Sequence, residues 1–389
     1  MTQKKKIAKN KGENLKQRAL KAHKRLEGKI AITPKGKLKT MSDLALWYTP
    51  GVAAVSSHLA KKKKETPDYT IKGNTIAVVS DGSAVLGLGN IGPEGALPVM
   101  EGKAMIFKAF AGVNAFPIVL NTQDKEEIIK TVKAIAPGFG GINLEDISSP
   151  RCFEIEERLK KELPIPVFHD DQHGTAIVVL AGLINAAKVT KRSMKDMRVV
   201  IVGAGAAGVA VAKILLRYGV KNIVVTDKEG IISKKRKNLN KAKEWLAQNT
   251  NKKSLDGGLS VAAEDADAII GVSGPGNIKA HHVRSMNKDS IVFALANPTP
   301  EIMPEEAKKA GAAVIATGRS DFPNQINNAL VFPGVFRGAL DNRVRNITEA
   351  MKIQAALNLA HCVKKPTAEK IIPSIFAKQV VREVAKAIR

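Results

Sequence analysis

Two pairs of carboxylates are the side chains of this chain best placed for chemistry. They are Glu145-Asp146, and Asp170-Asp171 within Phe168-His169-Asp170-Asp171-Gln172-His173-Gly174-Thr175. Each pair follows an apolar, strand-like run. Carboxylates are costly to crowd together unless a cation neutralises them. Hard oxygen donors in such number suit Mg²⁺ or Mn²⁺ rather than zinc; structural ion pairing is the competing reading. His169 and His173 have the spacing of a zinc pair on a helix, but Gly174 and the Asp-Asp turn point to a loop, and no cysteine or third histidine is near. Downstream lies Gly203-Ala204-Gly205-Ala206-Ala207-Gly208. A dication beside a nicotinamide cofactor implies hydride transfer coupled to chemistry on a chelating acid.

The glycine run meets its contextual test: strand before, helix after, and Asp227 closing the next strand. The first glycine permits the turn, the second admits the pyrophosphate and the third lets helix pack on strand. Asp227 can accept from the adenosine 2′-OH, which favours NAD. Lys228 and the tract Lys234-Lys235-Arg236-Lys237 keep NADP open. A second GxGxxG, Gly87-Leu88-Gly89-Asn90-Ile91-Gly92, is followed by Pro93 and Pro98, has no acidic strand end at the right spacing and no helix starting at once. It reads as a close-packed loop of the substrate domain. Lys103 opens an apolar segment; buried, it could act as a base, and otherwise it snorkels at the surface. Tyr48 precedes a Pro-Gly turn and, taken alone, reads as a packed aromatic.

The elements that must hold these residues alternate between strand and helix. Ile76–Ser80, Phe116–Leu120, Gly141–Leu144 and Val167-Phe168 read as buried strands. Residues 125–136 and 150–163 read as helices, each stopped by proline. Both acidic pairs therefore fall at C-terminal strand ends, where open α/β sheets place ligands. Residues 174–188 form an apolar helix joining two regions. Strand 198–202, helix 206–218 and strand 222–226 make a βαβ unit of about the expected thirty residues. Runs 268–271, 291–294 and 314–316 add strands, and 347–363 and 366–388 add terminal helices. The class is α/β with two domains: a basic arm over 1–20, a substrate and metal domain over 21–161, and a Rossmann-type doubly wound cofactor domain over 162–389.

Composition narrows the setting. The chain has 389 residues, 44% of them apolar and only 4% aromatic, so its core is aliphatic. No run approaches the ~18 apolar residues of a membrane span. The N-terminus has no secretory h-region. Two cysteines, Cys152 and Cys362, fit a reducing cytoplasm rather than a disulfide framework. The net charge is +26, with fourteen Lys or Arg against two Glu in residues 1–40. The basic runs lack interleaved aromatics, so no specific nucleic-acid partner is expected; charge of this kind bears on solubility and non-specific attraction.

Taken together, these blocks resemble the malic enzyme family in its short prokaryotic form. The matching stretches are YTPGVA at 48–53, VVSDGSAVLGLGNIGPEGALPVMEGKA at 78–104, GGINLEDI at 140–147, PVFHDDQHGTA at 166–176, GAGAAG at 203–208, FALANPTPE at 293–301 and TGRSDFPNQINNALVFPGVFRGALD at 317–341. The resemblance implies oxidative decarboxylation of L-malate to pyruvate and CO₂ with NAD or NADP and Mg²⁺ or Mn²⁺, by a cytoplasmic homo-oligomer of at least two chains. It implies Glu145, Asp146 and Asp171 as metal ligands, Lys103 as base, Asp170 as its acidic partner and Tyr48 as acid. It implies cofactor contacts at Gly203, Gly205, Ala206, Ala207, Gly208, Asp227, Asn297 and Ser320, with Asp321 nearby, and substrate contacts at Asn297 and Asn328. A malolactic enzyme, yielding lactate, shares the same fold. Longer relatives carry an arginine where this chain has Ala84, which leaves the partner of the malate C4 carboxylate open.

Overall fold

The computed structural model describes residues 15–85 and 87–389. Residues 1–14 of the expected basic arm lie outside them. The arm continues as helix α1 (Leu15–Leu26), followed by α2 (Met41–Trp47) and α3 (Val52–Lys61). None of residues 15–74 is buried.

The first sheet has four parallel strands: β1 (Thr75–Ser80), β2 (Asn114–Val119), β3 (Gly141–Leu144) and β4 (Val167–His169), ordered β2-β1-β3-β4. All of β1 and β3 is buried, which suits near-continuous apolar runs covered on both faces. The crossovers are helices α4 (Gly92–Ala111), α5 (Lys125–Ile135) and α6 (Arg151–Glu162). Asp124 caps α5 by accepting from the N–H groups of Glu126 and Glu127. β4 lies beyond the residue-162 division, yet it completes this sheet.

Helix α7 (Asp170–Val189) then runs through the centre of the molecule, buried along most of its length. It packs against α8 (Ala206–Tyr218) and α11 (Glu349–His361). The second sheet contains β5 (Arg198–Val202), β6 (Asn222–Asp227), β7 (Gly230–Ile231), β8 (Ala268–Gly271), β9 (Ser290–Ala294) and β10 (Ala312–Thr317). Its order is β10-β9-β8-β5-β6-β7, parallel except for the β7 edge. Strand order reverses beside β5, the topological switch point of a Rossmann-type sheet. Helix α9 (Lys241–Asn249) follows β7, and α10 (Phe332–Asp341), α11 and α12 (Gln379–Ala385) close the chain. One apolar core runs through both halves, joining Ile76, Met100 and Phe168 to Val199, Ile201 and Phe293. Phe107 of α4 stacks against Phe332 and Phe336 of α10, with ring centroids 4.6 and 5.5 Å away.

Three expectations need correction. α7 begins at Asp170, so Asp170, Asp171 and His173 occupy its first turn rather than a loop. Gly174 misleads because it reads as a breaker, whereas its role here is steric. α4 begins at Gly92 with Pro93 in its first turn, where a missing N–H costs nothing; a helix does follow the second glycine run at once. Residues 366–388 are not one helix: only Gln379–Ala385 is helical, after Pro366 and Pro373 interrupt the chain.

Candidate active site

Strand register brings the two acidic pairs together. Leu144 pairs with His169 at the ends of β3 and β4, so the residues that follow each strand emerge side by side. Oxygens of Glu145, Asp146 and Asp171 all lie within 4.8 Å of one another. Asp146 reaches this position with φ of 53°, a left-handed conformation that Asp tolerates better than most residues. Its N–H donates to Asp171 Oδ2 at 2.8 Å. Asn143 Nδ2 donates to Glu145 Oε2 at 3.0 Å.

Lys103 enters this cluster from the middle of α4. Its ammonium pairs with Asp170 and lies 2.9 Å from Glu145 Oε1, with the Phe332 ring 4.3 Å beneath it. Burial pulls its pKa down, but Asp170, then Glu145 and Asp171, outweigh burial and hold it above the ordinary lysine value. Burial lifts Asp170 to about 6 against the pull of Lys103, and lifts Asp171 to about 6 as well. Asp170 Oδ1 is buried and accepts no hydrogen bond. A Cβ at Gly174 would lie 1.9 Å from that oxygen, so glycine one turn on makes room for the carboxylate. Glu145, Asp170 and Asp171 thus face the Lys103 ammonium. The clustered oxygens of Glu145, Asp146 and Asp171 fit a hard divalent cation.

Several supports escape a reading of sequence alone. Glu156 projects from the apolar face of α6, beside Cys152, Ile155 and Leu159. Its carboxylate accepts from the His169 N–H at 3.2 Å, Gln172 Nε2 at 3.1 Å and His173 Nε2 at 2.9 Å. It thereby anchors the turn that carries Asp170 and Asp171. A carboxylate inside an apolar stripe was the available signal. Burial drives the His173 imidazole down to about 3, so it is neutral; its Nδ1 accepts from Lys352 at 2.9 Å. Asp81 accepts from the backbone and hydroxyl of Ser83 and from Arg151. Ser83 Oγ in turn accepts from Ser148 N–H, and Ala84 N–H donates to Asp146 carbonyl oxygen. That network locks the loop after β1 against the Asp146 loop.

The glycine turn approaches the loop that follows Glu145-Asp146, with Ser149 opposite Gly205. Gly203 has φ of 120°, and a Cβ there would lie 2.6 Å from the Val272 carbonyl oxygen. A Cβ on Gly208 would lie 1.8 Å from the Gly203 carbonyl oxygen, so helix and turn are in close contact. At Gly205 the nearest atom would be Ser149 Oγ at 3.8 Å, so this face is open. Gly205 caps α8 without a side-chain bond, leaving the first N–H groups for an anion. Ala206 and Ala207 form the first turn of α8, and Ala206 packs against the core of the first sheet. These residues fit a dinucleotide pyrophosphate. Asp227 ends β6 next to the turn. Asn328 lies beside Gly174 at the start of α7, and the Asn297 carbonyl oxygen abuts Gly87, so the second glycine run packs against the cofactor unit. Ser320 and Asp321 are exposed. Tyr48 stands apart from the buried cluster, 65% exposed.

Comparison with known proteins adds family context. The malic enzyme N-terminal domain matches residues 27–160, and the malic enzyme NAD-binding domain matches residues 172–389. The chain is 54% identical over 378 residues to a bifunctional malic/malolactic enzyme of Bacillus subtilis (strain 168), covering 96% of this chain and 92% of that one. It is 57% identical over 363 residues to an NAD-dependent malic enzyme of Geobacillus stearothermophilus, covering 93% and 76%. The crystal structure of an NAD-dependent malic enzyme from Thermotoga maritima superposes with a TM-score of 0.92 at 49% identity, over 95% of this chain and 98% of that one.

Ligation requires the carboxylates to be ionised, and burial raises Glu145 and Asp171, two of the three that would hold the cation. Mn²⁺ affinity should therefore fall by about tenfold or more between pH 7 and pH 5, as protons compete for the oxygens. Calorimetric titration of the protein with Mn²⁺ at both pH values checks this; equal affinity at the two would contradict it.

Proposed function

The chain belongs to the malic enzyme family, and from that premise we propose that it oxidatively decarboxylates L-malate to pyruvate and CO₂, passing the hydride to NAD(P). The observation that carries this reading is Lys103, buried against Glu145 and Asp170 where Asp171 completes a carboxylate cluster with Glu145 and Asp146. The division into residues 21–161 and 162–389, with β4 returning to the first sheet, is proposed on the same ground. So is a cytoplasmic setting, on the two unpaired cysteines. Among the described residues no helix is long and apolar enough to cross a membrane.

A Mg²⁺ or Mn²⁺ held by Glu145, Asp146 and Asp171 would supply a Lewis acid for the malate hydroxyl and for the ketone that replaces it. The remaining work belongs to the chain. Lys103 donates to Asp170, so Asp170 is placed to receive the proton that Lys103 must shed to act as base. Lys103 then takes the C2 hydroxyl proton, and a nicotinamide bound at the glycine turn would supply the acceptor for the C2 hydride. The resulting β-keto acid loses CO₂. Tyr48 delivers a proton to C3 of the enol, giving pyruvate. Asn297 and Asn328 orient the carboxylates by donating amide hydrogens.

The exposure of Tyr48 bears on assembly. Leu46, Trp47 and Tyr48 are all exposed, and a groove of about 860 Å³ lies between residues 29–38, Trp47 and the outer face of α4. Exposed apolar side chains gathered round one groove suit an interaction site. We propose that a second copy of the chain covers it, since closed twofold dimers are the commonest assemblies of identical chains.

Malate-dependent formation of reduced cofactor, requiring Mg²⁺ or Mn²⁺, tests the activity; lactate released in place of pyruvate would identify the malolactic alternative. Lys103→Ala should lose about 10²–10⁴-fold in hydride transfer. Tyr48→Phe should still reduce oxaloacetate yet form pyruvate from malate more slowly; an unchanged rate of pyruvate formation contradicts its role. Light scattering should give a dimer mass that Trp47→Asp lowers, and a wild-type monomer at every concentration would refute the assembly.

A further inference from the structure

Acids inside the cofactor unit are costly unless a cation answers them. Asp227 pairs with Arg236 and Lys243, and Asp267 pairs with Arg192. Glu301 is different. It is fully buried and, among the described residues, has no ion pair. Its Oε1 accepts from the Ser273 N–H at 2.8 Å, and its Oε2 accepts from the Ala296 N–H at 2.9 Å. Burial lifts this carboxyl above its ordinary value, and those N–H groups draw it back. With an N–H on each oxygen, the ionised form is the one these bonds favour. Gly271, the last residue of β8, makes room for it: a Cβ there would lie 2.6 Å from Glu301 Cδ. The carboxylate thus bridges the loops that leave β8 and β9, just beyond the strand ends.

Sheet order says what would lie over those ends. The turn after β5 takes the pyrophosphate, and the end of β6 takes the adenosine ribose. β8 and β9 lie on the other side of β5, so the nicotinamide half must run out over them. Two close approaches agree with this. A Cβ on Gly203 would lie 3.2 Å from Ser273 Cβ, and the carbonyl oxygen of Asn297, the residue after Ala296, abuts Gly87 of the substrate unit. The oxidised nicotinamide ring carries a positive charge that hydride transfer removes. A buried carboxylate with no counter-ion beneath that ring stabilises the cationic form and leaves the neutral form unaffected.

We infer that Glu301 is a specificity-determining residue of the cofactor site, favouring the oxidised over the reduced nicotinamide and so easing release of the reduced product. The inference rests on the cofactor reading of the glycine turn given above.

Equilibrium binding to the protein above neutral pH, without malate, tests this with three probes. They are oxidised NAD and ADP-ribose, followed by calorimetry, and reduced NAD, followed by its fluorescence; ADP-ribose lacks the ring. Glu301→Gln keeps the size of the side chain and removes its charge. It should weaken oxidised NAD relative to reduced NAD by about threefold or more, the scale of a nearby charge at an effective dielectric constant of about 20, and barely change ADP-ribose. Glu301→Asp keeps the charge on a shorter side chain. Its ratio of the two affinities should stay close to that of wild type, and it serves as the reading should Glu301→Gln fail to fold. An unchanged ratio in Glu301→Gln, or a ratio that collapses in Glu301→Asp, overturns this inference alone. A wild type that binds none of the three probes overturns the cofactor site and this inference together.

Discussion

Like charges held close together in a buried place constrain everything else in this molecule. Glu145, Asp146 and Asp170 are buried and Asp171 half-buried where they converge, and Lys103 pairs with Glu145 and Asp170 from within. Such a cluster is stable only when something positive sits among the oxygens. The backbone is arranged to keep it there. Asp146 takes a left-handed conformation, Gly174 gives up its side chain to Asp170, and Glu156 ties down the turn between β4 and α7. A dication added to this cluster weakens the hold of the acids on the Lys103 proton. In the proposed reaction, that same charge balance would let Lys103 pass from counter-ion to base.

Two sheets meet at this point because α7 belongs to both. It starts at the end of β4, carrying Asp170 and Asp171, and runs buried against α8, whose N-terminus follows the glycine turn. One element therefore connects the clustered carboxylate oxygens to the helix proposed to receive the pyrophosphate. The loop after β1, locked through Asp81, Ser83 and Arg151, touches the Asn297 turn from the other side.

Much of this was legible in the residues themselves. Parallel strands buried on both faces announce themselves as short apolar runs, and acids placed straight after them fall at ligand-binding ends. The glycine turn carried its own context in Val199–Val202 and Asp227. What stayed hidden depends on contacts distant in sequence. Gly174 looked like a breaker because its partner, the Asp170 carboxylate, cannot be seen in a propensity. Glu156 looked like one more charge on an amphipathic helix. Asp227 looked like a free acid until Arg236 and Lys243 folded onto it, and the exposure of Tyr48 follows from an arm that finds no core within one chain.

The most direct measurement is anomalous diffraction from crystals soaked with Mn²⁺. The account predicts one strong peak at bonding distance from oxygens of Glu145, Asp146 and Asp171, with the Lys103 amine next to it but not ligating. A peak elsewhere, or none while those side chains keep their present arrangement, would contradict it.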